Sequence, residues 1–454
     1  MLNRYRAAFE PRGSLSFSLF GLLGRLPSSM IGLALVLVVS AHGDYSRAGT
    51  LVGVLALAGC VGGPLQGRFA DRFGQARALV PTALVFAVAV TALILGLRAG
   101  LATAPLAVLA AVVGASGPTT GTLARSRWST LHPAGGRLQT AFAVESVFDE
   151  VVFVTGPVLV TVLAIYLDPL LPMVVAAVAG VAGSLLLAAQ RRTEPPTAAT
   201  GRPDAATPRA GLPYAALVPL LVVQVTIGTI FGSTDVVTVA AASAAGERGV
   251  AGLILACFSA GSLVSGLVVG ALDWRMAPMR RVQVCVVVLG CSSLVLPFVP
   301  SVGLLPFAGF LVGATVSPAL IAVSAAVQSV TPAARLTAAM AIATSALIAG
   351  FSLGSAVAGH LVDAVGPHRA YWQSAIAGIL AALVVLAPVG VRRVARPADP
   401  ALTDGVRTPG PARPRVGTAP GGRGPGGAPV THRRPPARGQ AAGARDGRRH
   451  SRTH

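Results

Sequence analysis

Five charged residues lie inside stretches that are otherwise almost wholly apolar: Arg25, Glu145, Asp149, Glu150 and Asp235. Burying a lone charge is expensive, so such residues face a partner or a polar cavity. Glu145 and Asp149 are four apart, which places both carboxylates on one face of a helix, whereas Glu150 points about 100° away. An Arg beside such a pair can hold one acid ionised while burial and like-charge repulsion tune another, giving a site that gains and loses a proton. Asp149 is the expected primary carrier; the alternative is a static ion-pair clamp between helices.

The elements that must position these residues are read from hydropathy. Hydrophobic residues make up 53% of the 454, charged residues only 11%, and mean hydropathy is +0.71. A chain this poor in charge lacks the polar groups to cover a water-facing surface, so its solvent is lipid. Apolar runs long enough to cross about 30 Å of hydrocarbon recur near residues 16–40, 48–67, 77–97, 103–124, 139–165, 169–190, 216–241, 249–271, 281–299, 302–326, 336–360 and 371–391. These predict an all-α membrane protein of twelve transmembrane helices. Arg25 is about nine residues, or about 14 Å, into the first run, and Asp149 is about ten into the fifth, so the two share a depth.

Orientation follows from arginine. Every one of the 36 basic residues is Arg, and 14 of them follow residue 391. With the N-terminus inside, inner segments before that stretch carry 17 Arg, and the outer loops only Arg47, Arg98, Arg248 and Arg369. Both termini are therefore expected in the cytoplasm, with the plasma membrane as location and the first run retained as a span rather than cleaved as a signal peptide. The net charge of +20 is partly this topology signal and partly a tail property, so no nucleic-acid partner is expected.

A Pro- and Arg-bearing break at 191–213 divides the chain into predicted bundles at 1–190 and 214–391. The remainder, 392–454, is Arg, Pro, Gly and Ala; it is expected to be a disordered cytoplasmic tail, inert or attracted to anionic headgroups. The halves echo each other: Gly63, Gly67 and Gly156 recur 203 residues later as Gly266, Gly270 and Gly359. A shared offset favours a parallel duplication over generic glycine packing.

Gly67-Arg68-Phe69-Ala70-Asp71-Arg72-Phe73-Gly74-Gln75-Ala76-Arg77 ends the second span. It resembles the signature loop between helices two and three of the major facilitator superfamily, Gly-x-Leu-Ala-Asp-Arg-x-Gly-Arg-Lys. Gly67, Ala70, Asp71, Arg72 and Gly74 match, while Phe69, Gln75 and Ala76 depart from the pattern. The resemblance, over residues 14–391, implies two pseudo-symmetric six-helix bundles rocking about a midplane site. It further implies that Asp71 latches the outward-facing state, with Arg127 as candidate partner, and that helices one, four, seven and ten line the cavity. Thr119, Gln224, Thr229 and Ser317 are then candidate lining groups beside Arg25 and Asp235. Gly67 and Gly74 allow a tight turn, Asp71 can pair with Arg or cap a helix, and Arg72 and Arg77 can simply enforce topology. Gly270-Ala271-Leu272-Asp273 is a degraded second copy. Gly156-Pro157 matches the core of the family's antiporter motif without its flanking glycines, and a kinked helix explains it equally.

A lysine-free chain has no phosphate-binding Gly-x-x-x-x-Gly-Lys-Ser/Thr loop, and its four cysteines and scattered histidines form no metal or nucleophile pattern. No cofactor and no metal are expected. The expectation is a monomeric secondary transporter, not an enzyme, for a small organic solute that is uncharged or amphiphilic, driven by protons and exporting. Proton-symport uptake is the alternative, and a membrane-embedded sensor or enzyme a more distant one.

Overall fold

The computed structural model describes residues 9–132, 136–196, 213–271, 276–332 and 335–387. The expected tail, most of the linker, and Leu272 and Asp273 of the second signature copy fall outside these residues. Among the described residues there are twelve helical spans of membrane-crossing length, from Ser14–Val39 to Pro367–Leu386. Their helical segments carry their backbone hydrogen bonds internally, as lipid requires. Large apolar side chains such as Val88, Val108, Leu267 and Phe307 remain exposed on them, a surface suited to hydrocarbon rather than water.

The predicted spans are found, with one instructive difference. The fourth, Thr103–Leu131, is broken into helices Thr103–Ser116 and Thr120–Leu131 and runs well beyond the apolar limit at 124. Pro118 has no N–H with which to continue the ladder. Gln66 of the second span, Tyr45–Phe73, covers the break: its Nε2 donates to the carbonyls of Ala115 at 2.8 Å and Gly117 at 3.1 Å.

The first six spans pack mainly on one another, as do the last six, giving the two-bundle architecture. Small residues set the closest approaches. In the second bundle Gly228 and Gly232 of the seventh span, Tyr214–Ala244, lie against the backbone of Leu347 and Phe351 in the eleventh, Ala338–Val365. Gly350 and Gly354 return the contact against Val225 and Thr229. The second and fourth spans meet through Gly62 and Gly114, and their counterparts, the eighth and tenth, through Gly261 and Gly313. The individual glycines of the 203-residue offset are not used alike: Gly156 faces Ser29 of the first span, whereas Gly359 faces Tyr45 of the second.

The bundles join along two seams. The second span meets the eleventh through Gly49, Gly53, Ser352 and Ser355, with Ser352 Oγ donating to the Gly53 carbonyl at 2.7 Å. The fifth, Thr140–Tyr166, meets the eighth, Arg248–Val269, through Thr161 and Gly252. On the second span beyond Cys60, Val61, Leu65, Phe69 and Phe73 are all exposed.

Candidate functional site

The first bundle holds together around a buried guanidinium. Gly21 and Gly24 let the first span, Ser14–Val39, close on Thr120 and Ala124 of the fourth, and Gly121 leaves room for the Arg25 side chain to lie across it. Arg25 is 6% exposed and donates to the Gly121 carbonyl at 3.3 Å. Its main partner is Glu145, bound directly through Nη2, with Asp149 Oδ1 3.3 Å from Nε. The expected pairing of Arg25 with the fifth span is thus found, with Glu145 rather than Asp149 as the closer acid.

Glu145 is fully buried and satisfied on both oxygens. Oε1 accepts from Ser18 Oγ at 2.7 Å and from Trp128 Nε1 at 2.8 Å, while Oε2 faces Arg25. Trp128 is itself buried and meets Phe9 and Phe17 edge-on, at centroid distances of 5.3 and 4.8 Å. A buried carboxylate with this many donors is fixed in place.

Asp149 is shared. Its Oδ2 accepts from Arg125 Nη2 at 2.5 Å, so it lies between two guanidiniums from the first and fourth spans. Glu150, one residue on, makes no hydrogen bond or ion pair with any described residue, and neither does Asp235 in the seventh span. In the same span, Thr234 Oγ1 and Gln224 Oε1 are buried without a hydrogen-bond partner among the described residues. Arg25 Nη1 is a further such atom.

The signature loop departs from expectation at three points. Gly67 lies inside the second helix with open space around it, so the turn is made by Gly74 alone, at φ 97°. Asp71 and Arg72 are exposed, and Asp71 has no hydrogen-bond or ion-pair partner among the described residues; Arg127 is not its partner. Arg127 is fully buried elsewhere: Nε donates to Gln75 Oε1 at 2.8 Å, Nη1 to the Gln190 carbonyl at 2.8 Å and Thr193 Oγ1 at 3.0 Å, and Nη2 to the Leu187 carbonyl at 2.8 Å. It ties the fourth span to the end of the sixth. The helix-capping role expected of Asp71 falls to Glu194, which accepts from the Ala76 N–H at 3.0 Å in the first turn of the third span.

The expected cavity residues divide as well. Thr119 donates to Gln66 Oε1 at 3.3 Å and serves the break in the fourth span. Thr229 donates to the Val225 carbonyl of its own helix at 2.9 Å and to the Gly350 carbonyl at 3.3 Å, so it packs against the eleventh span. Ser317 lies against Gly266 of the eighth. Of the four, Gln224 has a fully buried side-chain oxygen without a hydrogen-bond partner among the described residues.

Sequence reasoning missed Ser18, Gln66, Arg125, Trp128 and Glu194. Arg125 and Trp128 follow the apolar limit of the fourth run, and only the amphipathic continuation to Leu131 signals that the helix goes on.

A paired-bundle, twelve-span fold with a charge network inside one bundle defines a class, the secondary transporters that work by alternating access. The profile of the Major Facilitator Superfamily matches residues 17–246 and 220–436, and the chain belongs to that family. Among solved structures, a mutant of the nucleoside transporter NupG superposes with a TM-score of 0.68 at 14% identity, covering 82% of this chain and 98% of that one. A POT family transporter in complex with 5-aminolevulinic acid gives 0.64 at 12% identity over 85% and 97%. A peptide transporter POT mutant in complex with alafosfalin gives 0.63 at 16% identity over 85% and 95%. A comparison with curated proteins by sequence finds no match. The chain is thus a multi-pass membrane protein of a transporter family, not an enzyme.

Proposed function

We propose that this transporter couples proton movement to the export of a small organic solute across the plasma membrane. The observation that carries the reading is a pair of carboxyls within the spans, Glu150 in one bundle and Asp235 in the other, that have no cationic partner among the described residues and so exchange a proton without breaking an ion pair. Asp149, the expected carrier, is engaged by Arg25 and Arg125, and it takes part when rocking of the bundles alters the junction of the first, fourth and fifth spans. The arginine distribution supports cytoplasmic termini. In that orientation the seams of Gly49 with Ser355 and of Gly252 with Thr161 lie on the outer side.

Export is supported by Gly156-Pro157 in the fifth span. Uptake by proton symport is the second reading, since the same free carboxyls serve either direction. Nucleosides and peptides, the cargo named for the structural neighbours, are the first solutes to test, followed by uncharged amphiphiles. The protein acts as a monomer, each chain holding its own pathway between its bundles. Flux in vesicles under an imposed pH gradient, with the gradient reversed, tests coupling and direction together.

A further inference from the structure

We propose that Asp363 is a gate latch: its carboxylate, carried by the eleventh span, holds the N-terminus of the second span and keeps the two bundles together at that end of the molecule. The first N–H groups of any helix have no acceptor within it and carry partial positive charge. In the second span Tyr45 N–H donates to Asp363 Oδ1 at 3.2 Å and Ser46 N–H to Asp363 Oδ2 at 2.6 Å. The next two donors go to Asp44: Arg47 N–H to its Oδ1 at 2.9 Å and Ala48 N–H to its carbonyl at 3.2 Å. Half of this helix end is therefore capped from the opposite bundle, by a residue more than 300 positions away.

The contact continues the seam below it. Gly359 lies against the Tyr45 carbonyl, Gly49 against the Ser355 carbonyl and Gly53 against Ser352, so the glycines bring the helices close enough for the carboxylate to reach. Opening a path at this end requires the two bundles to part here, and both Asp363 hydrogen bonds must break when they do. Asp44 stays behind to hold the helix end, which makes the break reversible. The 203-residue offset places Val160 and Arg248 at the equivalent positions of the fifth and eighth spans, where the seam is made by Thr161 and Gly252 instead. The charged cap thus belongs to one seam of the pair. It sits at the opposite end of the second span from Asp71, which has no partner among the described residues.

The proposal rests on the bundles rocking during transport, and the test separates the two ideas. Full-length protein in lipid nanodiscs, with its four native cysteines replaced, is labelled at Leu101→Cys and His368→Cys for distance measurement. Hydrogen exchange of the peptide spanning residues 44–48 is followed in parallel. Asp363→Ala, and to a lesser degree the isosteric Asp363→Asn, should speed exchange at Tyr45 and Ser46 roughly fivefold, the worth of one such cap. Both should also shift the distance distribution toward separated bundles. Asp168→Ala, which removes a carboxylate that accepts from the Leu170 N–H within one bundle, should leave that distance unchanged. Faster exchange at an unchanged distance would reduce Asp363 to an ordinary cap and overturn the latch, as would unaltered exchange. A protein that carries no solute, yet whose distance responds to Asp363→Asn, would reject the transport reading and keep the latch.

Discussion

Trp128 Nε1 donates to Glu145 Oε1 at 2.8 Å, so the carboxylate that grips Arg25 of the first span is also fastened to the fourth. Three helices of one bundle thereby share a single buried acid. Among the described residues the corresponding pair in the second bundle, the seventh and eleventh spans, is held by Gly228, Gly232, Gly350 and Gly354 in backbone contact. Two related bundles solve the same packing problem by different means, one by charge and one by the absence of side chains.

The charged solution is brittle. Removing one partner of a buried pair leaves the other uncompensated, a loss of about 3–5 kcal/mol. Glu145→Ala and Arg25→Ala should each lower the unfolding midpoint in detergent by an amount of that order. The double variant should cost less than the sum of the two, as read from a double-mutant cycle.

The glycine solution is brittle in a different way. A Cβ on Gly228 would stand 1.9 Å from the Leu347 carbonyl oxygen, so Gly228→Ala must push the seventh and eleventh spans apart, at about 1–3 kcal/mol. Gly67 has nothing within 4 Å and is helical, so Gly67→Ala should be neutral or should stabilise by up to about 1 kcal/mol. Thermal unfolding of the two variants side by side measures the contrast.

At the signature loop, Arg127 and Asp71 should behave oppositely. Arg127→Ala abandons four hydrogen bonds that join the fourth span to Gln75 and the end of the sixth, and should destabilise by about 3 kcal/mol or more. Asp71→Asn removes no contact in this conformation and should leave the unfolding midpoint unchanged. Equal loss of stability in both would mean that the two residues act together after all.

Much of the architecture was legible because lipid imposes simple rules. Twelve apolar runs, the break near residue 191 and the common depth of Arg25 and the fifth-span acids all follow from length and hydropathy. What hydropathy hides is the polar end of a helix. Arg125 and Trp128 lie past the apolar limit of the fourth run, although the helix carries them to Leu131 beside the network. Partnerships across elements were hidden too: nothing in the local pattern of Gln66, Glu194 or Asp363 says that each satisfies backbone groups of a distant helix. In this conformation the acceptors Gln75, Gln190 and Thr193 engage Arg127, and the local pattern around Arg127 announced none of them.

The free carboxyls give the functional prediction its sharpest form. Asp235→Asn and Glu150→Gln should each lower gradient-driven flux at least tenfold while leaving solute exchange at equal pH on both sides intact. A variant that loses exchange as well has damaged binding or folding rather than coupling.

The most direct measurement is solute flux in vesicles of the purified protein, with a proton gradient as the sole driving force and nucleosides, short peptides and uncharged amphiphiles as the panel. Accumulation of at least one solute against its own gradient, collapsing when a protonophore is added and absent from Asp235→Asn, is the predicted result. Flux of the transported solute that is indifferent to the proton gradient in the wild type would contradict it.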